Sequence, residues 1–216
     1  MKSSALRLPS PLYTIFDPSQ SGNRPSLAIL NDLLKGGSSV IQLRVKEKPA
    51  KEFLQLAVEM RRQTSQAGCL LIVNDRVDIA LACGADGVHL GQEDLPLAPA
   101  RRIMGNKLIG ISTHTPEQAK EAERGGADYI GFGPIFGSVT KETGYSPRGL
   151  TMLQEIRSAV RLPIVAIGGI TEANVTKVWR AGADAAAMIS DLIAAQDIVE
   201  KVRRVLALTQ SSLASS

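Results

Sequence analysis

Three polar side chains interrupt an apolar strand pattern in the stretch VIQLRVKEK, at Gln42, Arg44 and Lys46. Alternate side chains of a strand point to one face, so the pattern predicts that these three lie together. If that face looks into a core, two cations are buried there, and an unpaired buried cation costs several kcal/mol. A bound anion would neutralise both cations.

Two carboxylates follow neighbouring candidate strands. Asp75 comes directly after an apolar run, and Asp94 lies in GQED after the next strand. Alone, Asp75 is typical of a helix N-cap. Together, two carboxylates at adjacent strand ends repel each other unless a cation lies between them, and Mg²⁺ suits such a site because it keeps waters and shares itself with substrate phosphates. The residues therefore predict Mg²⁺ beside a polyphosphate that Arg44, Lys46 and Lys141 would bind. The alternative is that Arg44 and Lys46 form ion pairs with the two carboxylates.

A second anion site is predicted from VAIGGI and MISDL. Gly168 and Gly169 supply a glycine turn after the seventh candidate strand, and a short helix after the eighth offers free backbone N–H groups. Barrels commonly bind a phosphomonoester at this position, because such donors and the helix dipole favour negative charge. A tight turn without a ligand is the alternative.

All of these groups need strands that end at one rim. Eight β-rich runs occur at 12–16, 40–44, 70–74, 87–90, 108–112, 129–133, 163–167 and 185–189. Helical patterns lie between them at 51–67, 116–124, 151–160 and 173–180, with a last helix near 194–208. Eight alternations predict an α/β fold, a (β/α)₈ TIM barrel in a single domain over 1–216, with a short extension at about 1–10 and a disordered polar tail at about 209–216. A doubly wound open sheet is the alternative.

Other motifs are interpreted as structural. The triplet Gly-Ala-Asp occurs three times at unequal offsets, which indicates a glycine that ends a helix rather than a sequence repeat. His89 and His114 are interpreted as hydrogen-bonded structural residues, and no serine lies in a nucleophile elbow, so covalent catalysis has no candidate. The connection from Gly133 to Gly149 is long enough to predict a functional loop.

Composition excludes several classes of protein. The net charge of +4 and the pI near 9.2 come from arginine pairs scattered over separate helices, while aromatic residues make up 4% of the chain. A nucleic-acid partner is not expected, because base stacking needs aromatics beside the cations. Cys69 and Cys83 are interpreted as reduced core thiols. No signal peptide and no membrane-length apolar run is found, which predicts a cytoplasmic protein without a membrane partner. Both a monomer and a homodimer are compatible with the sequence.

Seven motifs resemble, in order and spacing, those of the thiamine-phosphate synthase family. They are QLRVK, VND, HLGQED, GIST followed by His114, GPIFGSVTK, AIGGI and MIS, and the resemblance runs from about Leu12 to Leu192. It implies that 4-amino-5-hydroxymethyl-2-methylpyrimidine diphosphate is joined to a thiazole phosphate, with or without a carboxyl group, and that pyrophosphate is released. An electron-rich aminopyrimidine supports a benzylic-type cation, so pyrophosphate can leave before the thiazole nitrogen attacks. Such a reaction needs Mg²⁺ and cations rather than a nucleophile.

The resemblance also implies roles for single residues. The pyrimidine diphosphate would be bound by Gln42, Arg44, Lys46, Asn74, Ser112 and Lys141, of which Arg44, Lys46, Ser112 and Lys141 would be catalytic. The thiazole phosphate would be bound by Ser138, Thr140, Gly169, Ile189 and Ser190, and Mg²⁺ by Asp75 and Asp94. Ser138 stands where the family usually has threonine, which keeps the hydroxyl and loses a methyl group.

Two other functions are weighed against this one. A thiazole tautomerase is similar in fold but carries a histidine where Ser112 stands, and its metal carboxylates are not expected. A catalytically silent regulatory or nucleic-acid-binding barrel would have lost the charged residues at the strand ends and gained a basic, aromatic surface. The retention of Ser112, Asp75 and Asp94 argues against the tautomerase, and neither of the changes expected of a silent barrel is seen in the sequence.

Overall fold

The sheet of this protein closes on itself. The computed structural model describes residues 8–137 and 146–213, with side chains in the last helix up to residue 209. Eight parallel strands pair in the order β1 to β8, and β1 pairs with both β2 and β8. The strands are β1 Leu12–Phe16, β2 Val40–Leu43, β3 Leu70–Asn74, β4 Gly87–Leu90, β5 Leu108–Thr113, β6 Tyr129–Phe132, β7 Ile164–Ala166 and β8 Ala185–Met188. The predicted (β/α)₈ barrel is confirmed, and the open sheet was wrong.

Helices surround the barrel. Within the described part of the chain they are α1 Ser26–Gly36, α2 Ala50–Gln66, α3 Val77–Ala82, α4 Leu97–Met104, α5 Pro116–Arg124, α6 Gly149–Ala159, α7 Val175–Arg180, α8 Ser190–Ile193 and α9 Ile198–Leu213. The sequence pattern missed α1, α3 and α4. None of these helices has the length and apolar content needed to cross a lipid bilayer.

The C-terminal segment differs from its prediction. Disorder was expected from about residue 209, but α9 continues to Leu213, and residues 214–216 lie outside the described part of the chain. Ile198, Val202 and Val205 of α9 are buried and anchor the helix to the body of the protein. An anchored helix extends at little cost, because each added residue gains one backbone hydrogen bond.

The strands are buried on both faces, which explains their continuous apolar character. One core lies between the sheet and the helices, and it includes the free thiols of Cys69 and Cys83. Both thiols lie in the core as predicted, and burial, which raises the pKa of Cys69 to about 12 and also raises the pKa of Cys83, makes them unreactive. A second, smaller core fills the barrel interior with Tyr13, Ile15, Val40, Ile72, Tyr129, Val165, Ala185 and Ala187. This inner core forms the floor of the site described below.

The three Gly-Ala-Asp triplets form three matching clamps at the amino ends of the strands. Each glycine ends a helix at positive φ, as predicted. Each aspartate accepts a hydrogen bond of 2.8 Å from a backbone N–H of the preceding strand. It also forms an ion pair with an arginine of the helix that comes before that strand. The sets are Asp86 with Leu71 and Arg61, Asp128 with Ile109 and Arg101, and Asp184 with Ile164 and Arg157. The clamps therefore tie α2, α4 and α6 to the face of the barrel that is remote from the strands' carboxyl ends.

Candidate active site

A cavity of about 110 Å³ lies inside the barrel at the carboxyl ends of the strands. Every strand or the residues just after it contribute to its wall. The lining residues are Tyr13, Ile15, Gln42, Arg44, Asn74, His89, Ser112, Gly131, Val165, Ile167, Ala187 and Ile189. The structure thus brings together Gln42, Arg44, Asn74, Ser112 and Ile189, five of the residues that sequence analysis assigned to substrate binding.

Arg44 lies beside this cavity with a partner that the sequence did not indicate. It follows the last residue of β2, and its backbone N–H donates to Phe16 as the final bond between β1 and β2. Its guanidinium forms an ion pair with Asp17, a buried carboxylate that also accepts from Ser19 and begins a short 3-10 turn. Arg44 was expected to pair with Asp75 or Asp94 if it had a protein partner at all. Asp17 instead fixes the guanidinium, and the pairing of β1 with β2 is what brings the two residues together.

Lys46 does not share a face with Gln42 and Arg44. The strand ends at Leu43, and the side chain of Lys46 is 53% exposed. Its Nζ donates to the Asp75 carboxylate at 2.9 Å. The expected three-residue face was therefore wrong at its third position, because alternation stops where the pairing with β1 stops. The ion-pair alternative is observed for Lys46.

Asp75 occupies a strained turn rather than a helix cap. The cap position of α3 belongs to Arg76, whose backbone N–H donates to the Asn74 carbonyl at 2.8 Å. Asp75 is the only non-glycine residue in the described ranges with positive φ, at 65°. The hydrogen bond thus joins residues i and i+2, and the residue between them has a positive φ. This combination defines a γ-turn of the rare, strained type. Such a backbone costs about 1–3 kcal/mol and is characteristic of functional sites.

Asp94 lies in contact with Asp75. One of its oxygens accepts from the Gly91 backbone N–H at 2.6 Å. Burial raises the pKa of Asp94 first, and the hydrogen bond and negative charge of Asp75 raise it further, while the Gly91 bond and Lys46 oppose the change. Two carboxylates that meet in this way favour either a shared proton or a cation. The structure thus brings both predicted metal ligands together.

The donor set fits Mg²⁺. In the described parts of the chain no cluster of three or more His, Cys, Asp or Glu side chains is arranged to hold a metal ion. A cation between Asp75 and Asp94 would therefore take most of its ligands from water or from a substrate. That is the usual coordination of Mg²⁺, which binds one or two carboxylates and substrate phosphates.

A hydrogen-bonded chain of side chains runs beneath the cavity, and sequence analysis missed it. Gln42 Nε2 lies 3.0 Å from the Tyr13 hydroxyl, which lies 2.8 Å from the Tyr129 hydroxyl. His89 continues the chain, with Nδ1 3.1 Å from Tyr129 and Nε2 2.9 Å from the Ser112 hydroxyl. Burial raises the pKa of both tyrosines and lowers the pKa of His89 to about 4, so all five groups are neutral at pH 7. The signal was the strand alternation, which points Tyr13, His89 and Tyr129 inward.

The residues predicted for the second anion site are only partly described. Gly168 and Gly169 have φ of 103° and 62°, and a Cβ on either would come within 2.5 Å of the segment after β6. This packing requires the glycines without any ligand, so the tight-turn alternative stays open. Ile189 lines the cavity and Ser190 begins α8 at the same end of the barrel. Ser138, Thr140 and Lys141 lie outside the described residues.

A second cavity lies elsewhere and is a weaker candidate. It has a volume of about 470 Å³ and lies between α8 and α9. Its two cations are already paired, Lys201 with Glu172 and Asp191 and Arg204 with Glu172. The barrel mouth, by contrast, combines charges with a polar interior.

Known proteins resemble this chain over most of its length. The sequence model of thiamine monophosphate synthase matches residues 12–192. A thiamine-phosphate synthase of Chloroflexus aurantiacus is 48% identical, with 91% of each chain covered, and one of Moorella thermoacetica is 47% identical, with 89% of this chain and 92% of the relative covered. Among solved structures, thiamine phosphate pyrophosphorylase from Pyrococcus furiosus superposes with a TM-score of 0.86 at 37% identity, covering 94% of this chain and 96% of its own. The chain therefore belongs to the thiamine monophosphate synthase family, and it is an enzyme of the transferase class.

Proposed function

We propose that the chain transfers the pyrimidinylmethyl group of 4-amino-5-hydroxymethyl-2-methylpyrimidine diphosphate to the nitrogen of a thiazole phosphate or its carboxylated form, giving thiamine phosphate and pyrophosphate. The observation that carries the proposal is the meeting of Asp75 and Asp94 at a barrel mouth that also holds Arg44 and Ser112. The family match over residues 12–192 supports the same activity.

The diphosphate would be bound by the cations at the rim. Arg44 is held by Asp17 before any ligand arrives, so its donors need little reorganisation when charge develops on the leaving group. Lys46 is exposed and bonded to Asp75, so a diphosphate competes with that carboxylate for the ammonium group. Asn74 and Lys141 complete the proposed set, and Gln42 and Ser112 would bind from inside the barrel.

Asp75 and Asp94 would hold Mg²⁺. When bound, this ion neutralises negative charge on the diphosphate as it leaves. The two carboxylates contribute position: the γ-turn fixes Asp75 and the Gly91 N–H fixes Asp94, so both oxygens are held at the rim before the ion binds.

The proposed substitution is dissociative. The bond from the pyrimidine methylene to the diphosphate oxygen breaks, with the electron pair leaving on pyrophosphate, and the methylene then forms a bond to the thiazole nitrogen. No side chain acts as a nucleophile, and the one histidine in the cavity is neutral with a pKa of about 4. The thiazole phosphate would be bound by Ser138, Thr140, Gly169, Ile189 and Ser190.

The decisive experiment incubates the purified protein with both substrates and Mg²⁺ and follows thiamine phosphate. We expect product formation that EDTA abolishes. Tautomerisation of a thiazole phosphate that survives EDTA, without thiamine phosphate formation, would establish the tautomerase instead. A cytoplasmic location and the absence of a nucleic-acid or membrane partner stay predictions from sequence, and the sequence is compatible with both a monomer and a homodimer.

A further inference from the structure

The hydrogen-bonded chain beneath the cavity has a direction. Its members are Gln42, Tyr13, Tyr129, His89 and Ser112, joined by four bonds of 2.8–3.1 Å. Tyr13 and Tyr129 are 1% and 0% exposed. Each hydroxyl in such a place has one proton to donate, and a buried donor without an acceptor is costly.

The direction follows from the end at Gln42. Its Nε2 faces Tyr13, and an amide nitrogen only donates, so the Tyr13 oxygen accepts there. Tyr13 must then donate to Tyr129, which in turn must donate to His89 Nδ1. A neutral imidazole that accepts at Nδ1 carries its proton on Nε2 and donates it to the Ser112 oxygen. In this arrangement the four protons that lie between neighbouring members, from Gln42 to Ser112, each have an acceptor.

We infer that Tyr13, Tyr129 and His89 are positioning residues that fix the hydrogen-bonding polarity of the two cavity groups at their ends. The Ser112 oxygen accepts a hydrogen bond from His89 Nε2, so the Ser112 hydroxyl is left to donate its own proton to a ligand. Gln42 donates one N–H to Tyr13, and its carbonyl oxygen remains an acceptor for a ligand. We therefore expect a ligand to present an acceptor, such as a phosphate oxygen or a ring nitrogen, to Ser112 and a donor to the carbonyl oxygen of Gln42. The identity of that ligand rests on the function proposed above, whereas the polarity does not.

The barrel backbone leaves room for this chain. A Cβ on Gly110 of β5 would lie 2.1 Å from a ring carbon of Tyr129, and a Cβ on Gly131 of β6 would lie 2.9 Å from a ring carbon of His89. The rings also contact each other, with centroids 5.5 Å apart between His89 and Tyr129 and 5.9 Å apart between Tyr13 and Tyr129. Ring and backbone therefore fill the space together, and this close packing disfavours other ring orientations.

The tautomer of His89 provides a direct test, because the chain contains two histidines whose hydrogen bonds differ. His114 Nδ1 lies 2.7 Å from the Gly133 carbonyl oxygen, which only accepts, so Nδ1 of His114 carries a proton. We expect ¹⁵N spectra of histidine-labelled, ligand-free wild-type protein at pH 8 to show His89 protonated at Nε2 alone and His114 protonated at Nδ1. The His89→Gln variant assigns the signals.

A His89 proton on Nδ1, or an equal mixture of tautomers, would overturn the inference. In that case the donor-to-acceptor direction of the hydrogen-bonded chain is reversed, and the Ser112 hydroxyl donates to His89. Because the spectrum needs no substrate, failure of the proposed enzyme activity leaves this result intact, and the two failures are distinguishable.

A double-mutant cycle tests whether His89 acts through Ser112. Asparagine at 89 places its amide near the Nδ1 position and loses the donor to Ser112, whereas glutamine reaches the Nε2 position and keeps it. We expect His89→Asn to lower kcat on the order of tenfold, the scale of one hydrogen bond, and to lower it less than about twofold when Ser112 is already alanine. His89→Gln, which keeps the donor to Ser112, should retain most of the wild-type kcat. Thermal melts check that each variant is folded.

Equal losses in both backgrounds would mean that His89 has only a structural role, and equal effects of asparagine and glutamine would mean the same. Either result overturns the positioning role. A Ser112→Ala enzyme with unchanged kcat would instead remove Ser112 from the proposed mechanism, and with it the functional part of the inference.

Discussion

At the scale of single residues, the cationic side chains described at the barrel mouth each form an ion pair with a carboxylate. Arg44 pairs with Asp17, which is 4% exposed, and Lys46 pairs with Asp75. Asp17 explains how the protein keeps the mostly buried Arg44 at the cavity without a ligand, because an unpaired buried cation would cost several kcal/mol. Asp75 in turn contacts Asp94, so the ammonium group of Lys46 is attracted to both carboxylates.

Replacing Asp75 by asparagine should lower turnover by about 10²-fold or more, the scale of one lost preorganised charge contact. Asparagine tolerates positive φ, so the γ-turn survives and only the charge is lost. Lys141→Ala should have an effect of the same size. Steady-state kinetics with a Mg²⁺ titration measures both.

The matched control is Asp78→Asn, an exposed carboxylate three positions further along that pairs with Arg76. It should leave kcat and KM unchanged. Activity within threefold of wild type in both the Asp75 and Lys141 variants would remove these residues from the mechanism.

Asp17→Asn should lower the free energy of unfolding by about 3 kcal/mol, because Arg44 then stays mostly buried without a counter-charge. Urea denaturation measures the change. Replacing Arg44 by glutamine in the same chain should recover part of the loss, since no unpaired charge remains. An undiminished loss in the double variant would show that the turn capped by Asp17 matters more than the ion pair.

At the scale of elements, the three aspartate clamps divide the barrel into pairs of strands. Each clamp joins an even-numbered helix, the strand after it and the start of the next strand. Hydrogen bonds between charged groups and buried backbone donors are stronger than neutral ones. The clamps lie opposite the active-site rim, and residues at that face of TIM barrels serve stability rather than catalysis.

Changing each clamp aspartate to asparagine should therefore lower stability, by about 1–3 kcal/mol where burial is greatest. The aspartate side chains are 17% exposed at Asp128, 23% at Asp86 and 45% at Asp184, so the loss should decrease in that order. Chemical denaturation measures the order. KM for both substrates should not change, and a changed KM would contradict the separation of the two faces.

At the scale of the whole molecule, the buried polar chain makes stability depend on pH. His89 has a pKa of about 4 because burial disfavours its charged form, although the charge of Asp75 opposes the shift. The side chains that contact it, Tyr129 and Ser112, are neutral. In the unfolded chain a histidine binds its proton near pH 6.5. Between pH 6.5 and about 4, His89 is therefore protonated in the unfolded state and neutral in the folded state.

The contribution of His89 should be complete above pH 6.5 and should fall by about 3 kcal/mol as the pH decreases to 4. Denaturation curves without added divalent cation measure this slope. His89→Gln should flatten it, whereas His114→Gln should preserve it. An unchanged slope in His89→Gln would contradict the assignment. Glu172 does not confuse the result, because Arg204 and Lys201 lower its pKa to about 2 and its contribution is lost only below about pH 4.5.

The sequence by itself determined the barrel and most of its rim. Strand alternation and helical periodicity are local patterns, and eight strand runs with short helical connections leave few ways to close a sheet. Helices α3 and α4, of six and eight residues, contain few turns of periodic pattern and were missed, and the pattern also missed α1, which has eleven residues. Gln42, Asn74, Asp75 and Ser112 were identified because each lies in or just after a recognisable strand.

Only the tertiary structure decided which of these groups meet. Tyr13 and Tyr129 are 116 positions apart, and the closure of the sheet alone brings their hydroxyls to 2.8 Å. The end of β2 at Leu43 depends on its pairing with β1, which turned Lys46 away from the interior and gave Arg44 to Asp17. Local patterns fix the direction of a side chain, whereas its partners depend on contacts between strands that are distant in the chain.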